Sequence, residues 1–178
     1  MGKPEADRGF KLMSLGFKLL DMRLPPKNIL KEAEIKPGYS VLDYGCGPGG
    51  YIAPTAELVG ESGKIYALDI HPLAIQQAQD IAVKKRLKNL ETIQSDCKTG
   101  LPDGSIDVVL LYDTFHYLSD AEGVLRELHR VLKSKGILSF SDHHMKEAEI
   151  ISGVTSGGLF NLSQKGEKTF SFSKVGKG

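Results

Sequence analysis

The order of strand and helix patterns in this chain of 178 residues predicts an α/β fold with a doubly wound, mostly parallel sheet. Apolar runs of strand length alternate with helical patterns over most of the chain. One run, Ile106-Asp107-Val108-Val109-Leu110-Leu111-Tyr112, is almost continuously apolar, as expected for a parallel strand that is covered on both faces. Near the C-terminus a hairpin-length connection separates two strand patterns, which therefore form an antiparallel pair.

Seven strands are predicted from apolar runs that are bounded by turn residues. These runs lie at 40–44, 64–69, 90–95, 106–112, 137–140, 159–163 and 169–173. The helices are predicted from apolar positions with helical spacing. They cover 8–22, 27–34, 50–60, a stretch that begins at 72, a stretch that follows Ser119, and 146–152.

Proline and capping residues indicate where several helices begin and end. Pro25-Pro26 ends the first helix, because proline restricts the residue before it and lacks a backbone N–H. Pro72 fits the first turn of its helix, where the missing N–H is not needed. Ser119-Asp120-Ala121-Glu122 has the spacing of a capping box and predicts the start of the helix that follows.

The most informative stretch of the chain joins the first strand to the next helix. It reads Val41-Leu42-Asp43-Tyr44-Gly45-Cys46-Gly47-Pro48-Gly49-Gly50, with glycines at alternate positions after the acid. Glycine lets the backbone turn tightly and approach a ligand without Cβ atoms in the way. The helix that follows presents free N–H groups at the same place. Since a second acid, Asp69, ends the next strand, the sequence predicts a ligand site at this edge of the sheet.

Two kinds of cofactor site contain such a turn. Gly45-x-Gly47-x-x-Gly50 fits the dinucleotide fingerprint, and Asp69 lies at about the distance of its ribose-binding acid. Pro48 argues against a dinucleotide, because it lacks a backbone N–H that a pyrophosphate would use. The antiparallel hairpin at the end of the chain argues against it as well, since a dinucleotide domain ordinarily keeps its last strand parallel. An NAD(P)-dependent oxidoreductase stays open as the alternative.

The pattern Asp43-x-Gly45-x-Gly47-x-Gly49, followed by Asp69, resembles the cofactor site of class I S-adenosylmethionine-dependent methyltransferases of the small-molecule type. The resemblance extends from about Pro37 to the C-terminus, and Asp43 belongs to that family's pattern. It implies a Rossmann-like seven-stranded sheet of order 3-2-1-4-5-7-6 with an antiparallel last strand. It also implies S-adenosylmethionine as the cofactor and S-adenosylhomocysteine as its product.

The resemblance also implies a cofactor role for residues that follow the strands. Gly45 and Gly47 would pass beside the methionine part, which Asp43 would orient directly or through water. Asp69 would accept both ribose hydroxyls, because one carboxylate can form two charge-assisted hydrogen bonds. Ile70 would cover one face of the adenine, Asp96 would accept the adenine amino group, and the Cys97 N–H would donate to a ring nitrogen. Asp113 follows the fourth strand, where the family contacts the cofactor amino group. Asp43, Asp96 and Asp113 also fit the simpler role of turn residues or turn caps.

His116 and His143 are the candidate catalytic residues, because histidine titrates near neutrality and both are predicted at the ligand edge. A sulfonium is an activated methyl donor, so a general base is needed only if the acceptor keeps its proton until the transition state. His116 also fits a purely structural turn. His143 and His144 are adjacent, so at most one of them would face the site from a strand. No spacing of metal ligands accompanies them, and we expect no metal site.

Residues 1–36 are predicted to form a helical cap or lid, and residues 37–178 a single S-adenosylmethionine-binding domain. The apolar stripe of Phe10, Met13 and Phe17 indicates either a wall of an apolar acceptor pocket or a helix that only packs on the domain. No extra domain is predicted, which favours a small-molecule acceptor over a folded macromolecule. A scaffold that binds S-adenosylmethionine without catalysis is a further alternative.

Composition and charge argue against other partners. The formal net charge is +1, whereas a nucleic-acid-binding protein shows a strong basic excess. No apolar run reaches the length of a membrane span, and the N-terminus lacks the apolar core of a signal peptide. Cys46 and Cys97 are expected to be reduced thiols of a cytoplasmic protein. We expect a monomer or a homodimer that binds neither nucleic acid nor membrane.

Overall fold

The computed structural model describes the backbone of residues 26–176 and the side chains from residue 28 onwards. The helix predicted over 8–22, with Phe10, Met13 and Phe17, lies outside these residues. The strands are β1 (Ser40–Tyr44), β2 (Lys64–Asp69), β3 (Leu90–Gln94), β4 (Ile106–Tyr112), β5 (Leu132–Ser141), β6 (Phe160–Lys165) and β7 (Phe170–Lys174). The α-helices are α1 (Pro26–Leu30), α2 (Ile52–Val59), α3 (Pro72–Lys85), α4 (Ala121–Val131) and α5 (Glu147–Thr155).

All seven strands form one sheet in the order β3-β2-β1-β4-β5-β7-β6, which confirms the predicted topology. The neighbours from β3 to β5 pair in parallel, whereas β7 is antiparallel to both β5 and β6. The strand order reverses between β1 and β4. Ligands of such sheets bind outside the carboxyl ends of the strands at this reversal.

Helices cover both faces of the sheet. Val109 and Leu111 of β4 pack in a cluster with α4 and α5, and Val108 and Leu110 pack in a second cluster with α1 and α2. All four side chains are completely buried. Because successive strand residues point to opposite faces, this double coverage explains why β4 is apolar almost throughout. No helix in the stretch 26–176 is long and apolar enough to cross a membrane.

Several boundaries differ from the predictions, and three of these differences change the description of an element. β5 begins at Leu132 rather than at residue 137, because Leu132 is fully buried and pairs with Ile106 ahead of an irregularity in the register. α4 is capped by Asp120 rather than by Ser119, since the Asp120 carboxylate accepts the Gly123 N–H at 2.8 Å. The helix predicted over 27–34 is divided into α1 and a 3₁₀ turn, Lys31–Ala33.

Candidate active site

One large cavity opens above the carboxyl ends of the parallel strands, where the reversal in strand order places a ligand. Its volume is about 1150 Å³. Ligand pockets usually measure roughly 300–1,000 Å³, so this cavity is large enough for a cofactor-sized ligand with space beside it. All the predicted cofactor residues line it, namely Asp43, Gly45, Gly47, Asp69, Ile70, Asp96, Cys97 and Asp113. The cavity is also lined by His143 but not by His116.

The glycine turn brings the backbone of the β1–α2 loop against two neighbouring strands. Gly45 and Gly47 have φ values of 79° and 48°, a region that favours glycine. The Gly45 N–H donates to the Leu68 carbonyl of β2 at 2.8 Å. A Cβ on Gly45 would lie 2.3 Å from the Thr114 Oγ1 after β4, whereas a Cβ on Gly47 would meet no atom within 4 Å. Gly45 therefore permits close packing, and Gly47 leaves open space beside the cavity.

This difference predicts separate effects of two alanine substitutions. Gly45→Ala should lower the free energy of unfolding more than Gly47→Ala, by about 1–3 kcal/mol, because overpacking adds to the backbone strain that both variants share. Urea unfolding of the two ligand-free variants measures the difference. Gly47→Ala is the matched control, and its main effect should be weaker S-adenosylhomocysteine binding in calorimetry. Equal destabilisation of both variants would show that Thr114 moves aside without penalty.

Asp69 is held by the backbone on both of its carboxylate oxygens. The Gly47 N–H donates to Oδ2 at 2.9 Å, and the His71 N–H donates to Oδ1 at 2.8 Å. These two hydrogen bonds link the glycine turn to the end of β2 and fix the plane of the carboxylate. Because each carboxylate oxygen can accept more than one hydrogen bond, Asp69 can still bind a pair of hydroxyl groups. The ribose contact stays a prediction.

Asp43 is a buried carboxylate with one unsatisfied oxygen. Its side chain is nearly inaccessible, and Oδ2 has no hydrogen-bond partner among the described residues. Burial, and to a lesser extent the charge of Asp69, raise the pKa of Asp43 to about 7. A buried ionised group is unfavourable unless an opposite charge or a donor compensates it. Since Asp43 lines the cavity, a positively charged ligand with amino donors fits this position.

The residues predicted to bind adenine follow β2 and β3 and also line the cavity. Ile70 is 66% exposed and lines the cavity, so its side chain is accessible to a bound ligand. The Asp96 carbonyl accepts the Tyr44 hydroxyl at 3.1 Å, so this loop is attached to β1. The Cys97 N–H makes only a long hydrogen bond to Ser95 Oγ, 3.3 Å. The adenine contacts stay predictions.

Asp113 and His143, which follow β4 and β5, form a hydrogen-bonded carboxylate–histidine pair in the other part of the cavity. The His143 Nδ1 lies 2.5 Å from Asp113 Oδ1, and the His143 backbone N–H donates to the same oxygen at 3.0 Å. Burial raises the pKa of Asp113, an effect that the hydrogen bond from His143 partly offsets. Because Nδ1 is engaged, Nε2 is the ring nitrogen that can exchange a proton with a ligand.

His116 belongs to a second pair behind the cavity wall. Its Nδ1 lies 2.7 Å from Oδ2 of Asp142, whose side chain is fully buried. His144 does not line the cavity either, and its ring lies 4.5 Å from that of His116 and 4.6 Å from that of His143. Within the described part of the chain, no group of His, Cys, Asp and Glu side chains could hold a metal ion. The catalytic assignment of His116 stays a prediction, and the geometry favours a positioning role.

Comparisons with known proteins show which proteins this chain resembles. The family described as "Methyltransferase domain" matches residues 35–169. A crystal structure of a SAM dependent methyltransferase from Aquifex aeolicus is 29% identical, with a TM-score of 0.77 over 90% of this chain and 97% of that chain. A structure of a putative S-adenosyl-L-methionine-dependent methyltransferase from Methanococcus maripaludis is 19% identical, with a TM-score of 0.76 over 96% of this chain and 94% of that chain, and shows the same fold.

Two curated relatives are also similar over the central part of the chain. Aklanonic acid methyltransferase DauC of Streptomyces sp. (strain C5) is 35% identical over 58% of this chain and 48% of its own length. Demethylmenaquinone methyltransferase of Geobacillus stearothermophilus is 30% identical over 62% of this chain and 48% of its own length. The chain thus spans about half the length of these curated relatives.

Proposed function

We propose that this chain, which belongs to the class I S-adenosylmethionine-dependent methyltransferases, transfers a methyl group from S-adenosylmethionine to a small-molecule acceptor. The observation that carries the proposal is one continuous cavity with two halves. Residues after β1, β2 and β3 line the first half, and the Asp113–His143 pair lines the second. Two small molecules in one cavity can be aligned for in-line transfer, and such positioning lowers the barrier strongly.

The first half of the cavity suits the cofactor. S-adenosylmethionine supplies a methyl group that is already activated on a positively charged sulfur. Asp43 would balance positive charge and orient the amino group, because its carboxylate is buried and incompletely hydrogen-bonded. Asp69 would accept the ribose hydroxyls, and Ile70 would cover the adenine.

His143 would act as the general base for an acceptor that carries a proton. Its Nε2 takes that proton while Asp113 holds Nδ1 and stabilises the imidazolium, the arrangement of other carboxylate–histidine pairs. The electron pair released on the acceptor atom forms the new bond to the methyl carbon, and the carbon–sulfur bond breaks with its electrons moving to sulfur. S-adenosylhomocysteine and the methylated acceptor leave, and His143 returns the proton to water.

The relatives support a small acceptor, since two of them are named for aklanonic acid and demethylmenaquinone. Cys46 and Cys97 are free thiols, which supports the cytoplasmic location that we propose. A monomer or a homodimer stays a prediction.

Transfer of label from S-adenosylmethionine to compounds in a metabolite extract tests the proposal and identifies the acceptor. Calorimetry with S-adenosylhomocysteine and with NADH tests the oxidoreductase alternative in parallel. We expect S-adenosylhomocysteine to bind and NADH to give no signal. The reverse result contradicts the proposal, and cofactor binding without any label transfer would favour the non-catalytic scaffold.

Asp69→Ala should weaken S-adenosylhomocysteine binding by about 1.5–3 kcal/mol, the value of a hydrogen bond to a charged group. The loss is expected because the variant removes the acceptor of the ribose hydroxyls and frees the Gly47 N–H. Calorimetry measures the affinity, and Asp80→Ala, on the exposed surface of α3, is the control. Unchanged affinity in the Asp69→Ala protein would place the ribose elsewhere.

A further inference from the structure

We infer that Lys168 makes this protein select acceptors that carry an anionic group, such as a carboxylate attached to an apolar ring system. The inference rests on the proposed methyl transfer, because it concerns the acceptor half of the same cavity. Lys168 lies in the turn between β6 and β7 and lines that cavity.

The ammonium group of Lys168 is not neutralised by any residue that the structure describes. The side chain is half-buried, yet it forms no ion pair with any residue that the structure describes. Half-burial removes part of the hydration of a charged group, which is unfavourable without a compensating partner. A lysine that only served solubility would extend into solvent, as Lys146 does. The position of Lys168 is therefore typical of a cation that receives an anionic ligand.

The carboxylates that line the same half of the cavity already have partners of their own. Asp113 is paired with His143. Asp142 Oδ2 contacts His116 Nδ1 at 2.7 Å, and Glu147 Oε2 contacts Lys165 Nζ at 2.6 Å. The Glu32 carboxylate accepts hydrogen bonds from the backbone of the Lys168 turn, and no ion pair joins a described carboxylate to the Lys168 ammonium group, so a ligand carboxylate can be its partner.

Glu32 fixes the turn that carries Lys168. Its Oε2 accepts the backbone N–H of Lys168 at 3.1 Å, the N–H of Thr169 at 2.9 Å and the Thr169 hydroxyl at 2.8 Å. The carboxylate comes so close that a Cβ on Gly166 would lie 2.1 Å from Oε2. Since Thr169 is almost completely buried, the turn is anchored and Lys168 has a defined place beside the cavity.

The surroundings of Lys168 define the rest of the acceptor. Met145, Ile150 and Phe170, which pack in one cluster, line the cavity together with Ile29, so the body of the acceptor should be apolar. β7 stands three places from β1 in the sheet, which is about 14 Å at the usual spacing between strands. Lys168 is therefore too far from the glycine turn to serve the methionine part of the cofactor. It acts on the acceptor, at a different point from His143.

Two probes of the same shape and different charge test this inference. The full chain, saturated with S-adenosylhomocysteine, is titrated with 2-naphthoate and with the neutral 2-naphthamide. We expect 2-naphthoate to bind about tenfold or more tightly, the effect of one charge-assisted interaction in a partly buried site. Lys168→Met should reduce the affinity for 2-naphthoate to that for 2-naphthamide, and Lys168→Arg should restore most of the preference. Lys146→Met, at an exposed lysine outside the cavity, should leave both affinities unchanged.

The same titrations separate this inference from the proposed function. A missing S-adenosylhomocysteine signal contradicts methyl transfer. Normal S-adenosylhomocysteine binding with equal affinities for 2-naphthoate and 2-naphthamide overturns the selection of anions alone. The wild-type comparison requires no variant, so it decides the matter even if a substitution at Lys168 disturbs folding.

Discussion

Asp43→Asn should increase the free energy of unfolding of the ligand-free protein by roughly 4 kcal/mol at pH 8, and by much less at pH 5. The reason is that the native carboxylate is buried without a full set of hydrogen bonds. An amide of the same shape carries no charge to desolvate. Urea unfolding at the two pH values measures the effect.

The direction of this change in stability follows from the pH at which the Asp43 carboxyl group titrates. Burial first, and the charge of Asp69 second, raise its pKa in the folded protein from the ordinary 3.8 to about 7. Below pH 3.8 the group is neutral in both states and does not affect stability. As the pH rises from there to 7, the unfolded chain loses the proton while the folded protein keeps it, so stability falls. Above pH 7 the loss is complete.

An exposed aspartate provides the control for this experiment. Asp80→Asn on α3 should change the free energy of unfolding by less than about 0.5 kcal/mol at either pH. If the Asp43→Asn protein is less stable than the wild type at pH 8, Asp43 has a stabilising partner and the argument from burial is wrong.

The same substitution should weaken cofactor binding. A cationic cofactor favours the ionised form of Asp43, so its binding to the wild type should release a proton near neutrality and tighten as the pH rises through 7. The Asp43→Asn protein should lose both the affinity and this pH dependence in calorimetry. The Asp43 carboxylate would thus lower the free energy of unfolding of the ligand-free protein and raise the affinity for the cofactor.

The cofactor half of the cavity was predictable because its determinants are local in the sequence. The glycines from Gly45 to Gly49 reflect backbone conformations and close contacts that few other residues allow. Asp69 ends a neighbouring strand, and the carboxyl ends of parallel strands meet at one edge. The strand order, including the antiparallel β7, followed from the resemblance and from the hairpin length.

The acceptor half was less predictable because its contacts join distant parts of the chain. Glu32 and Thr169 are 137 positions apart, and no local pattern announces their hydrogen bonds. The pairing of Asp113 with His143 was also missed, although each follows one of two adjacent parallel strands, and that placement was the available signal. The sequence did not distinguish His116 from His143, because the 3₁₀ turn Phe115–Tyr117 decides which of them reaches the cavity.

His143→Gln should lower kcat by about 10²–10⁴-fold, the usual contribution of a general base, with the acceptor that the extract assay identifies. Glutamine keeps a similar length but cannot take up a proton at neutral pH. Affinity for S-adenosylhomocysteine should change little, because the proposed cofactor contacts lie after β1, β2 and β3, whereas His143 follows β5. Single-turnover kinetics and calorimetry measure the two quantities separately. The pH profile of kcat/KM should also lose the limb that reports the base.

His144→Gln and His116→Gln are the matched controls, since the His144 ring lies beside those of both His143 and His116, and neither His144 nor His116 lines the cavity. His144→Gln should retain most of the activity. His116→Gln removes the partner of the buried Asp142, so it should mainly reduce stability and preserve the limb of the pH profile. If the limb is lost in the His116→Gln protein but kept in the His143→Gln protein, His116 is the general base. The Asp142–His116 pair would then have the role that we propose for the Asp113–His143 pair.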